Sequence, residues 1–198
     1  MPPERIAEIL AACYKAEVED AGINCSFDDE TVKHIVSLAE FLANPGPKFG
    51  VLLVGSVGNG KTTLMKALKR AVSFIGRQFF ARYMAEHFDP RLYFHHAIEI
   101  ADFAKENQRE FRDTAAAWLL AIDDLGTEPK EVLAFGNVYY PMIRLLENRY
   151  RHRLFTVATT NLSGTEIAEK YEARIWDRFL EMFHIITFGN PSYRPDIV

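Results

Sequence analysis

The chain has 198 residues, 48% of them hydrophobic, and a formal net charge of −4 at pH 7. That is long enough for one well-buried domain, and the charge excludes a globally basic nucleic-acid binder, so any DNA contact has to come from a local patch. No apolar run approaches bilayer-spanning length, and MPPERIAEIL lacks the basic-then-apolar order of a signal peptide, which predicts no membrane association and a cytoplasmic location. Cys13 and Cys25 stand apart, without partners at metal-ligand spacing, and read as free thiols of a reducing compartment.

Taken in order, Ile6, Ile9, Leu10, Cys13 and Tyr14 recur at helical spacing within Glu4–Ala21. Ser26 with Asp29 resembles a capping box opening a second helix to about Leu42, and Asn44–Pro47 then reads as a tight connector. The expected division is a short helical N-terminal segment, 1–44, followed by one domain, 45–198. Phe49–Val54 is too short and too apolar for anything but a buried strand. A helix from Lys61 to about Ile75 and a strand over Phe79–Tyr83 follow, whereas Met84–His96 carries no clear period. Then come a helix over Ala97–Glu110, a buried strand over Trp118–Ile122, a helix over Asn137–Tyr150 and a strand over Leu154–Thr159. Thr165–Phe183 reads as largely helical and Ile185–Phe188 as a last strand. Strands alternating with helices predict an α/β fold, a central parallel sheet covered on both faces.

The first strand ends in GSVGNGKTT, Gly55 to Thr63, which matches G-x-x-x-x-G-K-[ST] in a strand–loop–helix setting. Gly55, Gly58 and Gly60 let the backbone turn tightly and aim N–H groups of Ser56, Val57 and Asn59 at phosphate oxygens. The helix starting near Lys61 adds its positive end. Lys61 should reach the β- and γ-phosphates of a nucleotide and Thr62 should ligate Mg²⁺, with Thr63 closing the loop or capping the helix.

WLLAIDDLGTE, Trp118 to Glu128, runs five apolar residues into two adjacent acids. A carboxylate there is costly to bury unless paired. If this strand neighbours the P-loop strand, Asp123 arrives at the edge where the phosphates sit and can hold the ion bound by Thr62. In an extended segment neighbouring side chains point to opposite sides, so Asp124 should face elsewhere and orient an attacking water. Glu128 lies at the edge of the cluster with no role assigned.

With these residues in view, the chain resembles the AAA+ ATPases, in the branch of DnaC-type helicase loaders and IstB-type transposition helpers. GSVGNGKT (Gly55–Thr62), LLAIDDLGTE (Leu119–Glu128), TVATTNL (Thr156–Leu162), YEARIWDRF (Tyr171–Phe179) and PSYR (Pro191–Arg194) carry the resemblance from about Phe49 onward. It implies a P-loop NTPase (AAA+) three-layer sandwich with ATP and Mg²⁺ as cofactors; as a departure from the family, little sequence follows PSYR and no C-terminal helical lid is expected. It further implies hydrolysis serving a replicative helicase or, alternatively, a transposase, and a nucleotide-dependent homo-oligomer. Asp123 matches the metal-binding Walker B acid. Asp124 matches the water-activating acid, usually Glu, and is one methylene shorter. That leaves open a nucleotide-dependent switch with little turnover. Asn161 matches the sensor 1 amide, Arg178 the arginine finger, and Arg194 weakly a sensor 2 arginine. A finger can be worth about 10³–10⁵ in rate.

Other signals stay double-edged. Arg174, Arg178 and Glu181 share a helix face, so Arg178 suits either a neighbouring subunit's γ-phosphate or a pair with Glu181 or Asp177. Arg149, Arg151 and Arg153 in ENRYRHR suit single-stranded DNA or a solvated helix end. His87, Asp89, His95 and His96 have no recognised ligand spacing and read as surface or packing residues. Trp118 and Trp176 read as packing. A small-molecule kinase on the same scaffold would leave Asn161 and the arginines without a common role.

Overall fold

Three consecutive buried residues in β1 (Gly50–Gly55) belong alternately to two apolar clusters, Val51 and Leu53 to one and Leu52 to the other, as a strand covered on both faces requires. The computed structural model describes residues 1–79, 90–134 and 136–193. On the Val51 side lie α1 (Pro3–Asp20), α2 (Asp29–Ala43) and α3 (Lys61–Phe79). On the Leu52 side lie α4 (Ala97–Glu106), α5 (Gln108–Ala116), α6 (Pro141–Arg151), α7 (Gly164–Tyr171) and α8 (Ala173–Met182). The sheet between them adds β2 (Leu92–His96), β3 (Leu119–Leu125), β6 (Phe155–Thr160) and β7 (Phe183–Phe188), in the order β2-β3-β6-β1-β7 with every pairing parallel. A small antiparallel pair, β4 (Val132–Ala134) with β5 (Asn137–Tyr139), stands outside it. The three-layer α/β expectation is therefore met. Ile6, Leu10 and Cys13 of α1 and Ile35, Leu38 and Leu42 of α2 share one core with the sheet and α3.

Several element boundaries differ from expectation, each for a local reason. Asp28, not Ser26, caps α2: its Oδ1 accepts the Thr31 N–H at 2.7 Å. Phe79 is the last residue of α3, and 80–83 lie outside the described residues; the strand beside β3 is Leu92–His96. That edge strand has only Leu92 fully buried, which explains why its period could not be read. Asn107 divides the expected 97–110 helix: it ends α4 and caps α5 through Glu110 N–H at 3.1 Å. Pro141 starts α6, because residues 137–139 pair with β4 instead. Glu172, at φ 74°, separates α7 from α8, and Phe183 turns into β7. The Asn44–Pro47 connector is a turn closed by Lys48 N–H to Pro45 O at 3.1 Å.

Two imidazoles bind α2 to β7. His34 stacks on Phe188 with ring centroids 3.8 Å apart and donates Nε2–H to Thr187 O at 3.2 Å. His184 stacks on Phe41 at 5.2 Å and bonds Ser37 Oγ at 3.1 Å. Burial holds both below the ordinary imidazole value of 6.5, with Lys48 adding to the effect at His184. The unfolded chain therefore takes up these protons first as pH falls. Their contribution is present above about pH 6.5 and is lost as pH drops through the folded-state values. Thermal unfolding between pH 7 and 5 should show a midpoint decrease that is smaller in His34→Gln and His184→Gln. An equal decrease in parent and variants would rule this out.

Candidate functional site

The carboxyl ends of β1, β2, β3 and β6 converge on one edge, and the chemistry gathers there. β1 runs into Ser56–Gly60, and α3 begins at Lys61, with Gly60 O accepting Leu64 N–H at 3.0 Å. A Cβ on Gly55 would come within 2.5 Å of both Asn59 Nδ2 and Phe188 O, so only glycine admits this approach. Gly60, at φ 98°, would place a Cβ 3.0 Å from Tyr14 Oη as well as straining the backbone. Thr63 lies in the first turn of α3 rather than in the loop.

Lys61 is 5% exposed and faces four acceptors: Gly55 O at 2.8 Å, Ser56 O at 2.6 Å, Asn59 Oδ1 at 3.1 Å and Asn161 Oδ1 at 2.9 Å. Burial pulls its pKa below the usual lysine value, and Asp124 and Asp123 oppose that pull. Asn161, just past β6, is thus brought to the lysine. Its amide remains a neutral donor that neither repels phosphate nor titrates.

The strand next to β1 is β6, so β3 is one place further out than expected. Thr62 nevertheless spans the gap, donating Oγ1–H to Asp123 Oδ1 at 2.9 Å. Thr159 of β6 donates to the same oxygen at 2.7 Å and accepts Asp124 N–H at 2.9 Å. Asp123 is 2% exposed, and these hydroxyls make the burial tolerable. Simple alternation also fails for the second acid. A bulge lies between Ile122 and Leu125, and Asp124 sits at φ 54°. The irregular turn brings its carboxylate back beside Asp123: ligand atoms of Asp123, Asp124 and His96 lie within 4.8 Å of one another. Burial, not opposite faces, separates the two acids, Asp124 being half-exposed.

Several positions around the site were not visible in the sequence. His96, read from its spacing as a surface or packing residue, is exposed and pairs in register with Asp123, its Nδ1 3.7 Å from Asp123 Oδ2. His95 does pack, edge-on to Phe103, while His87 and Asp89 lie outside the described residues. The loop is braced from behind: Asn59 Nδ2 donates to Phe188 O at 3.1 Å, Asn190 Nδ2 to Asn59 O at 3.1 Å and Tyr193 N–H to Gly58 O at 2.8 Å. Tyr193 Oη also donates to Asp28 Oδ2 at 2.7 Å, tying the loop to the start of α2. Arg194 is outside the described residues.

The acids and arginines left open also find places. Glu128, 1% exposed, accepts Gly126 N–H at 2.9 Å and the Tyr171 hydroxyl, so it fastens the post-β3 turn to α7. Arg178 and Arg174 both donate to Glu147 Oε1 of α6 at 2.7 Å, rather than pairing with Glu181 or Asp177. Arg149 is corrected outright as a DNA contact. It is fully buried, donating to Thr156 Oγ1 at 2.7 Å, Ala117 O at 2.8 Å and Phe155 O at 2.6 Å. Arg153 lies over the Phe49 ring at 4.5 Å and donates to Pro47 O at 2.6 Å; Arg151 is exposed.

The residues fit a nucleotide with Mg²⁺. Tight glycine positions shape the loop, a helix N-terminus and an ammonium face it, and a hydroxyl beside a carboxylate offers the hard oxygen ligands Mg²⁺ prefers. Strand, glycine loop, lysine-headed helix and parallel sheet define an α/β P-loop fold. Among solved structures, the chain is similar to the DnaC helicase loader (19% identity, TM-score 0.63, 89% of this chain and 98% of that one). It is similar also to DnaI (20%, 0.58, 90% and 94%) and to the replication initiator DnaA bound to AMPPCP and single-stranded DNA (16%, 0.58, 83% and 48%). No protein-family model matches the chain, and no curated protein matches its sequence. The fold is an α/β P-loop fold similar to that of the DnaC helicase loader. No described helix is long and apolar enough to cross a membrane.

Proposed function

We propose that the protein is an ATP-binding and Mg²⁺-dependent AAA+ ATPase of the helicase-loader type, acting in DNA replication with a replicative helicase. The observation that carries this reading is the Thr62–Asp123 hydrogen bond beside Lys61, set in a DnaC-like fold. Gly55–Gly60 and Lys61 would hold the phosphates, and Thr62 with Asp123 would hold Mg²⁺, which supplies neutralisation of phosphate charge when bound. Asp124 is assigned to orient and deprotonate the attacking water, and Asn161 to hold that water or the γ-phosphate. Arg178, exchanging Glu147 for a neighbouring subunit's phosphate, is the proposed finger. We take 45–198 as the ATPase domain and 1–44 as the helical segment that meets the protein partner. Arg151, exposed and outside the contacts that hold Arg149 and Arg153, is the residue of the basic cluster we assign to single-stranded DNA.

One observation favours a second reading, a nucleotide-dependent switch with little turnover. Asp124 is short, and at φ 54° its backbone holds a strained position that hydrolysis does not by itself explain. Single-turnover hydrolysis with and without single-stranded DNA separates the two: fast, DNA-stimulated turnover supports the ATPase and counts against a pure switch. Mass measurements in ADP and in a non-hydrolysable ATP analogue should show larger species with the analogue. In those species Arg178→Ala should lose the increment of hydrolysis that rises with protein concentration. A variant that keeps the full increment removes the finger assignment. A transposase in place of the helicase is read by which of the two the assembled species binds.

A further inference from the structure

We infer that His96, Asp123 and Asp124 form a binding site for a borderline divalent cation of the Mn²⁺, Co²⁺ or Zn²⁺ class, taken up without nucleotide. The cluster is not a group of carboxylates alone: it joins an imidazole from β2 to two acids from β3. The parallel register sets His96 opposite Asp123, and the bulge turns Asp124 back toward both. All three ligand atoms lie within 4.8 Å of one another. Donors bound at about 2.1 Å to one ion stand roughly 3–4 Å apart, so a small inward movement completes the site. The two side chains that would move, His96 and Asp124, are the more exposed ones, whereas Asp123 is held by Thr62 and Thr159.

The occupied and open lone pairs assign the ligand atoms. Asp123 Oδ1 already accepts two hydroxyls, while Oδ2 takes no hydrogen bond among the described residues and faces His96 Nδ1 at 3.7 Å. An ion between them would bind Oδ2, Nδ1 and an Asp124 oxygen, leaving positions for water. The partial repulsion comes from Lys61, whose ammonium both acids influence. An imidazole is what distinguishes this set from the Thr62–Asp123 oxygen pair. It biases the site away from Mg²⁺ and along the order in which divalent affinity rises from Mn²⁺ toward the later metals. Asp123 is common to both sets, so the two ions are alternatives at one carboxylate.

The full chain without nucleotide is titrated with Mn²⁺, followed by electron paramagnetic resonance, and with Zn²⁺ and Mg²⁺ by calorimetry. One Mn²⁺ per chain is expected. Losing a direct ligand should weaken it at least about tenfold in both His96→Ala and Asp124→Asn, since even outer partners of metal ligands typically cost that much. Mg²⁺ affinity should change less than Mn²⁺ affinity in His96→Ala. Unfolding midpoints matching the parent confirm that these half-exposed positions leave the fold intact. Lys61→Ala should keep or tighten Mn²⁺ binding. Its nucleotide affinity, measured in parallel, tests the ATPase reading separately. Absence of Mn²⁺ binding up to about 1 mM, the weak end for protein sites of divalent ions, overturns the inference. So does Mn²⁺ affinity unchanged by His96→Ala.

Discussion

Lys61→Ala should lower MgATP affinity by roughly ten- to a hundredfold and hydrolysis by more. Hydrogen bonds to charged groups are each worth about 1.5–3 kcal/mol, and 1.4 kcal/mol is a factor of ten. The hydrolytic loss is larger because charge on the transferring phosphoryl group is met by donors that need no rearrangement at the moment of reaction. Lys61 has that preparation: its ammonium is buried and already lies among Gly55 O, Ser56 O, Asn59 and Asn161. These are neutral acceptors, which phosphate oxygens would outcompete. Lys61→Arg should not rescue it, since a planar fork does not fit a pocket shaped for a compact ammonium. Equilibrium binding of a fluorescent ATP analogue and steady-state hydrolysis measure both effects. Unchanged binding in Lys61→Ala would remove the phosphate site from its proposed position.

Arg149→Ala should be the most destabilising of the arginine substitutions, by about 3 kcal/mol or more. It removes the donor that Thr156 Oγ1, Ala117 O and Phe155 O share, at about 1–3 kcal/mol for each buried group left unsatisfied, while Thr156 Oγ1 keeps its own donation to Leu154 O at 3.1 Å. The relief of no longer burying a cation offsets part of this. Burial without a carboxylate partner pushes the Arg149 pKa down to about 9, which still leaves it charged at neutral pH. At about 2–4 °C per kcal/mol for a chain of this size, the unfolding midpoint should fall by roughly 6–12 °C. Arg149→Lys should recover little, because one ammonium cannot reach acceptors spread around a fork. Arg151→Ala, at an exposed position, should leave the midpoint nearly unchanged. Any loss of DNA binding in Arg149→Ala should therefore follow loss of folded protein. An Arg149→Ala midpoint within about 1 °C of the parent would contradict this account.

Those two residues also show where sequence reasoning succeeds and where it stops. Lys61 was legible because a glycine loop of this kind is local: spacing, glycines and the start of the following helix all lie within nine consecutive residues. Arg149 was not, because its neighbours in the chain are cations and aromatics that look like a surface patch. Only α6 packing against the ends of α5 and β6 surrounds it with carbonyls. The same distinction separates β1 from β2. A strand buried on both faces writes an unbroken apolar run, whereas an edge strand such as Leu92–His96, fully buried only at Leu92, mixes apolar residues with histidines.

By itself the sequence determined the α/β alternation, the glycine loop from Gly55 to Lys61 and the apolar strand leading to Asp123. Each rests on interactions within a few residues or on a period imposed by burial. The tertiary structure alone decided that β6 stands between β1 and β3, that Thr159 shares Asp123 with Thr62, and that His96 faces the two acids. It also bent Asp124 back toward Asp123, against the alternation of an ideal strand. Strand order, register and bulges depend on contacts between segments distant in the chain, and no local pattern of residues encodes them.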